Sequence, residues 1–186
     1  MGALAAAGVD GIQLRRKELP DRVLLALAER ARSLLPPATA VLVNGRLDVA
    51  LAAGASGVHL PAAGLPTAEV RRLADSLGAE VLVGRSTHRP EEVARARDEG
   101  ADYAVFGPVY PTPGKERFGE PPGLAGLERA CAAGLPVLAL GGVDPGRFAE
   151  VAAAGAAGAA GIRMFERPEG LAGLVEAARS AFGPRG

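Results

Sequence analysis

The 186-residue chain is short of several residue types, and each shortage excludes something. A single cysteine, Cys131, rules out an internal disulfide and any cysteine-based metal site. It lies in the alanine-rich stretch "GLERACAAG" and reads as a packing residue. No apolar run approaches the roughly 20 residues of a membrane span. No cationic start followed by an apolar core marks a signal peptide. A cytoplasmic protein is the expectation, with no membrane partner. Neither sign of charge is in excess, since Lys+Arg and Asp+Glu both total 21. No overall field therefore favours nucleic acid, although a local basic site stays open.

Amide and amine side chains are scarcer still. The chain has 2 lysines against 19 arginines, one asparagine (Asn44), one glutamine (Gln13), two histidines and no tryptophan. This bias suits a GC-rich genome, and scarce amides also suit heat tolerance. The positions where such residues remain are therefore informative, and Gln13 and Lys17 fall only four apart.

What the chain has in quantity is alternation. Five segments repeat one pattern: "AAAGVDGIQLR", "ALAAGASGVHL", "ARDEGADYAVFG", "ACAAGLPVLALGG" and "VAAAGAAGAAGIR". Each is an alanine-rich helix end, a glycine cap, a short turn and an apolar run. The runs predict seven buried strands: Gly11–Arg15, Thr39–Val43, Gly57–Leu60, Glu80–Gly84, Asp102–Gly107, Pro136–Gly141 and Gly158–Ile162. Between them lie helical stretches such as Pro20–Leu35, Thr67–Leu77, Pro90–Glu99 and Pro145–Ala154. Strict alternation means a parallel sheet with right-handed crossovers, either a closed barrel or an open doubly wound sheet. No G-x-G-x-x-G follows an early strand, so a dinucleotide fold has little support. The opening "MGALAAAG" reads as the last turns of a helix. The expectation is one domain over residues 1–186, an α/β TIM (βα)8-type barrel whose first strand the chain lacks.

Barrel chemistry sits at the C-terminal ends of the strands. Gln13, Arg15 and Lys17 end the first predicted strand, Asn44 follows the second and His59 ends the third. Ser86, Thr87 and His88 follow the fourth, and Pro108, Tyr110, Thr112 and Lys115 follow the fifth. Gly141 and Gly142 follow the sixth, and Gly161 and Ile162 end the seventh. Gln13 and Arg15 alternate into the barrel mouth, as ligand groups or as a polar plug. Lys17 is a ligand group or a solvated one. His59 and His88 suit structural hydrogen bonds or catalysis. "RSTHRPEE" also reads as a helix start capped by Ser86 or Thr87, with Glu91 and Glu92 in the first turn. The glycine pair of "ALGGVDPGRF" lets backbone N–H groups approach an anion, or lets a helix pack tightly on a strand. "FGPVYPTPGKERFGEPPGL" is long enough for a lid, with Lys115 at its middle, or is a solvated loop.

Taken in order, "QLRRK", "LVNGRLDVAL", "GVHLP", "VGRSTH", "DYAVFGPVYPTPGK" and "LALGGV" resemble the thiamine phosphate synthase and TenI superfamily, from Gly11 to about Ile162. The resemblance implies a (βα)8 barrel, a homodimer and a phosphorylated thiazole as ligand. The synthase branch joins a pyrimidine diphosphate to a thiazole phosphate, with Mg2+ neutralising the leaving pyrophosphate. It is similar to "ND" after a strand and to an acid after "GVHLG", where this chain has Asn44–Gly45 and "HLPAAGLP". "NGR" and "HLP" resemble the TenI branch, which includes a metal-independent thiazole tautomerase. That resemblance implies Gln13, Arg15, Asn44, Ser86, Thr112 and Lys115 as substrate-binding residues. Gly141, Gly142, Gly161 and Ile162 would bind phosphate. Pro108 stands where the tautomerase has a histidine, so His88 and Lys17 become the acid–base candidates. The leading expectation is thus an isomerase without cofactor or metal. The alternatives are the Mg2+-dependent synthase and a non-catalytic binder of phosphate ligands.

Overall fold

The computed structural model describes residues 1–16, 18–112, 120–166 and 169–183. Helix α1 (Gly2–Ala7) leads into strand β1 (Gly11–Leu14), and helix and strand then alternate. In order follow α2 (Asp21–Leu34), β2 (Ala40–Asn44), α3 (Leu47–Ala52), β3 (Gly57–Leu60), α4 (Thr67–Ser76), β4 (Leu82–Thr87) and α5 (Pro90–Asp98). The chain continues through β5 (Tyr103–Phe106), α6 (Gly123–Cys131), β6 (Val137–Leu140), α7 (Phe148–Ala153), β7 (Gly158–Ala160) and α8 (Leu171–Phe182). Among the described residues the seven strands are all parallel and pair in sequence order from β1 to β7. This is the curled sheet of a TIM-type barrel with one strand fewer, as the alternation predicts.

The repeated glycine explains the regular spacing. Gly8, Gly54, Gly100, Gly134 and Gly155 all have positive φ, from 58° to 90°, so each stops its helix and turns the chain toward the next strand. In α2 the buried residues Leu24, Ala28 and Ala31 lie three to four apart and form one apolar stripe. Pro20 precedes the helix and Pro36–Pro37 follow it, so it can extend in neither direction.

The strands carry two faces. Ile12, Leu14, Val41 and Val43 pack on α2 and α3. Val58, Leu60 and Val83 pack on Val70 and Ala74 of α4. Ala104, Phe106, Val137 and Ala139 join Val93, Leu127, Phe148 and Val151 from α5, α6 and α7. Side chains alternate along a strand, so Gln13, Asn44, His59, Ser86, Tyr103 and Leu138 face the inner, concave side.

Most strand ends differ from expectation by one or two residues, and β4 by more. The fourth strand, predicted as Glu80–Gly84, runs from Leu82 to Thr87. Ser86 and Thr87 pair with Val105 and Phe106 and therefore cap no helix. Helix α5 starts instead where Glu92 Oε2 accepts from the backbone N–H of His88 (2.7 Å) and of Arg89 (3.3 Å). Asn44 belongs to β2 itself rather than to the loop after it.

Candidate active site

The scarce polar residues meet in small groups along the strand ends. Gln13 Nε2 donates to Asn44 Oδ1 at 2.9 Å, which joins the only glutamine to the only asparagine across β1 and β2. Among the described residues the other end of each amide has no hydrogen-bond partner. Arg15 lies one residue beyond β1, has the same parity as Gln13, and makes no ion pair among the described residues. Its neighbour Arg16 is spent on Glu18 at 2.6 Å.

A second group fills one row of the inner face. His59, Gly84 and Tyr103 are register partners on β3, β4 and β5. A Cβ at Gly84 would stand 2.1 Å from the Tyr103 ring, so glycine is what lets that ring lie across β4 and reach β3. Tyr103 Oη sits 2.9 Å from His59 Nδ1, and Ser86 Oγ sits 2.8 Å from His59 Nε2. His59 is 2% exposed. Burial first, then the positive charge of Arg85, brings its pKa down to about 4, so the ring is neutral at pH 7. Burial likewise pushes the Tyr103 phenol above its usual range.

The third group lies between the loops after β5 and β6. Gly141 and Gly142 have φ of 91° and 68°. A Cβ on Gly141 would meet Pro108 at 2.6 Å, and one on Gly142 would meet Tyr110 at 2.6 Å. Tight packing is therefore enough to require both glycines. Thr112 Oγ1 is close by and donates to the Tyr110 carbonyl at 2.9 Å. Arg147 stacks 4.1 Å above the Tyr110 ring and donates to the Gly142 carbonyl at 2.7 Å. Gly161 and Ile162 follow β7, and Ile162 is 69% exposed. His88 Nδ1 lies 2.5 Å from the Gly107 carbonyl oxygen. A carbonyl can only accept, so that nitrogen carries a proton. Lys17 and Lys115 lie outside the described residues.

Mg2+ takes hard oxygen ligands, carboxylates above all. The carboxylates near the end of β2 are Asp21 and Asp48, and both are held by Arg46, Asp48 at 2.7 Å. Arg46 keeps both carboxyl groups below their ordinary range. Among the described residues no group of three or more His, Cys, Asp or Glu could hold a metal ion. These residues do not fit a Mg2+ site. A surface crevice of about 270 Å³ is lined by Asp21, Arg46, Asp48 and helix residues of α2 and α3. It opens on the helix side of the strands, whereas Gln13, Ser86 and His59 face inward, so side-chain chemistry places the site better than crevice size.

Residues 1–165 match the thiamine monophosphate synthase family. The chain belongs to that family. It is 48% identical over 161 residues to the putative thiamine-phosphate synthase of Geobacter sulfurreducens, covering 86% of this chain and 74% of the relative. It is 46% identical over 178 residues to the thiamine-phosphate synthase of Methanoculleus marisnigri, covering 95% and 82%. The solved thiamine phosphate pyrophosphorylase from Pyrococcus furiosus superposes with a TM-score of 0.85 at 28% identity, over 98% of this chain and 89% of that one. These relatives overturn the leading sequence expectation. The two relatives are named thiamine-phosphate synthase and the solved neighbour thiamine phosphate pyrophosphorylase, names of the transferase and not of a thiazole isomerase. The forms "NGR" and "HLP" are two short motifs, whereas the likeness to the Methanoculleus marisnigri synthase extends over 95% of the chain.

Sequence reasoning missed Tyr103 and Arg147. Tyr103 carries a signal only in hindsight: a tyrosine at the start of one strand and a glycine, Gly84, inside the preceding one. Their register is set by the sheet. No helix among the described residues is long and apolar enough to cross a membrane.

Proposed function

We propose that this chain is a transferase of thiamine biosynthesis that joins a pyrimidine diphosphate to a thiazole phosphate. The bond from the pyrimidine to the diphosphate oxygen breaks, a bond to the thiazole forms, and pyrophosphate leaves. The observation that carries this reading is 46% identity, over 95% of the chain, to a protein named thiamine-phosphate synthase.

The inner face supports it chemically. Both substrates are anionic, and Arg15 is a cation with no ion-pair partner among the described residues. Lys17 and Lys115 would add positive charge from their loops. Gln13 and Asn44 would orient a heterocycle through their remaining amide ends. Ser86 and Thr112 would offer hydroxyls, and His88 would offer an imidazole. Gly141, Gly142, Gly161 and Ile162 would contribute backbone N–H groups to a phosphate, an arrangement common after the last two strands of such barrels. Bound Mg2+ would neutralise the leaving pyrophosphate, but the described carboxylates do not suit it. The charge of that leaving group falls to the basic side chains.

The test is a coupling assay. Pyrimidine diphosphate and thiazole phosphate are incubated with the protein, with Mg2+ or with a chelator, and thiamine phosphate is quantified. Product formation is expected. Thiazole phosphate that raises the melting temperature without any product would replace the transferase with a non-catalytic binder. Light scattering in the same buffer tests the homodimer that the family resemblance implies.

A further inference from the structure

We propose that Tyr103 is a positioning residue that, through His59, fixes the Ser86 hydroxyl as a hydrogen-bond donor toward an anionic ligand. The proposal rests on Ser86 being a ligand group in the site described above.

His59 is buried and neutral, so its ring holds one N–H and one bare nitrogen. It touches two hydroxyls, one on each nitrogen. It can therefore donate to one and must accept from the other. Among the described residues, the Tyr103 hydroxyl has no hydrogen-bond partner other than His59 Nδ1. If Nδ1 carried the proton, the Tyr103 O–H would have no protein acceptor among the described residues, and burial of that phenol, already seen in its raised pKa, makes a donor without an acceptor cost more than a spare lone pair. The network is satisfied when Tyr103 donates to Nδ1. His59 then carries its proton on Nε2 and donates to Ser86 Oγ. That leaves the Ser86 O–H with no protein acceptor among the described residues, on a side chain that is only half-buried. It is free to donate outward, which is the polarity a phosphate or diphosphate oxygen needs.

The sheet enforces the direction. Tyr103 reaches His59 across the whole width of β4, and only the absence of a side chain at Gly84 permits this. Ser86 stands two residues beyond Gly84 on the same face, nearer the strand end. One row of the sheet holds the two orienting groups, and the next row toward the mouth holds the group they orient.

Two measurements test this. The first reads the tautomer in the free protein by nitrogen-15 NMR of the imidazoles. His59 is expected with its proton on Nε2, while His88, whose Nδ1 faces the Gly107 carbonyl, keeps a proton on Nδ1. Tyr103→Phe should abolish the single His59 tautomer and leave a mixture. A wild-type His59 protonated on Nδ1 would overturn the proposal. The second is a cycle of pyrophosphate affinities by calorimetry. Tyr103→Phe and Ser86→Ala should each weaken binding about three- to tenfold, a lost hydrogen bond's worth. The double variant should be no weaker than Ser86→Ala alone. Independent, multiplying losses would overturn it, as would a wild type that binds neither pyrophosphate nor inorganic phosphate. The tautomer is read without substrate and the coupling assay without NMR, so failure of the reaction and failure of this inference are distinguishable.

Discussion

At the scale of single residues, shape and charge constrain different positions. Gly57 is needed because a Cβ there would lie 1.9 Å from the Leu82 carbonyl oxygen, which is backbone and cannot yield. Gly84 is needed because of an aromatic ring. In the sequence they stand only as ends of the predicted strands Gly57–Leu60 and Glu80–Gly84. Thr67 is a plain irregularity, fully buried with its hydroxyl unpartnered among the described residues. His59 has a measurable consequence. Its folded pKa of about 4 lies below the 6.5 of an unperturbed histidine, so between these values the unfolded chain binds more protons than the native one. Its contribution to stability is complete above pH 6.5 and is lost as pH falls toward 4. One proton sets a slope of at most about 1.4 kcal/mol per pH unit. Urea midpoints measured from pH 7.5 to 4.5 should fall for the wild type and flatten for His59→Gln. Equal slopes in the two proteins would mean that the ring is not held neutral by burial.

At the scale of elements, the sequence placed the helices well and the strand ends less well. Thr67–Leu77 and Pro90–Glu99 were predicted, and Thr67–Ser76 and Pro90–Asp98 are found, because amphipathic spacing and an initial proline act locally. β4 was cut short at Gly84 because "RSTH" satisfies a cap pattern. The sheet overrode that local preference by pairing Ser86 and Thr87 with β5. Helix α4 is capped from a distance: Thr67 N–H donates to Glu99 Oε2 at 3.0 Å, and Glu99 belongs to the end of α5. Glu99→Ala should therefore lower stability by about 1 kcal/mol. Hydrogen exchange should quicken in the first turn of α4 more than in α5, where Glu99 itself lies. A change confined to α5 would refute the cap.

At the scale of the whole molecule, the curled sheet has two ends to hold. β1 pairs only with β2, and β7 only with β6, among the described residues. Helices α1 and α8 contact each other across that gap. Arg179 of α8 donates to the Gly8 carbonyl at 2.8 Å, a bond between residues 171 apart in the chain. Its guanidinium also fills the space beside Gly8, 3.1 Å from where a Cβ would stand. Arg179→Ala should raise amide exchange in α1, β1 and α8 while β4, paired on both sides, stays protected. A uniform rise through all strands would show instead that the ends contribute no separate opening.

The sequence by itself determined that this is a parallel α/β chain, and it put the scarce polar residues at the ends of the strands. Glycine caps, apolar runs and proline starts act over a few residues, and scarce polar residues can be located by counting. Their scarcity also singles out Gln13 and Asn44, which meet at 2.9 Å. Only the tertiary structure decided that Tyr103 spans a strand to reach His59, that Arg46 occupies the carboxylates Asp21 and Asp48, and that Pro108 and Tyr110 press on Gly141 and Gly142. Those contacts depend on strand register and on which loops meet, and register is set by packing many residues at once.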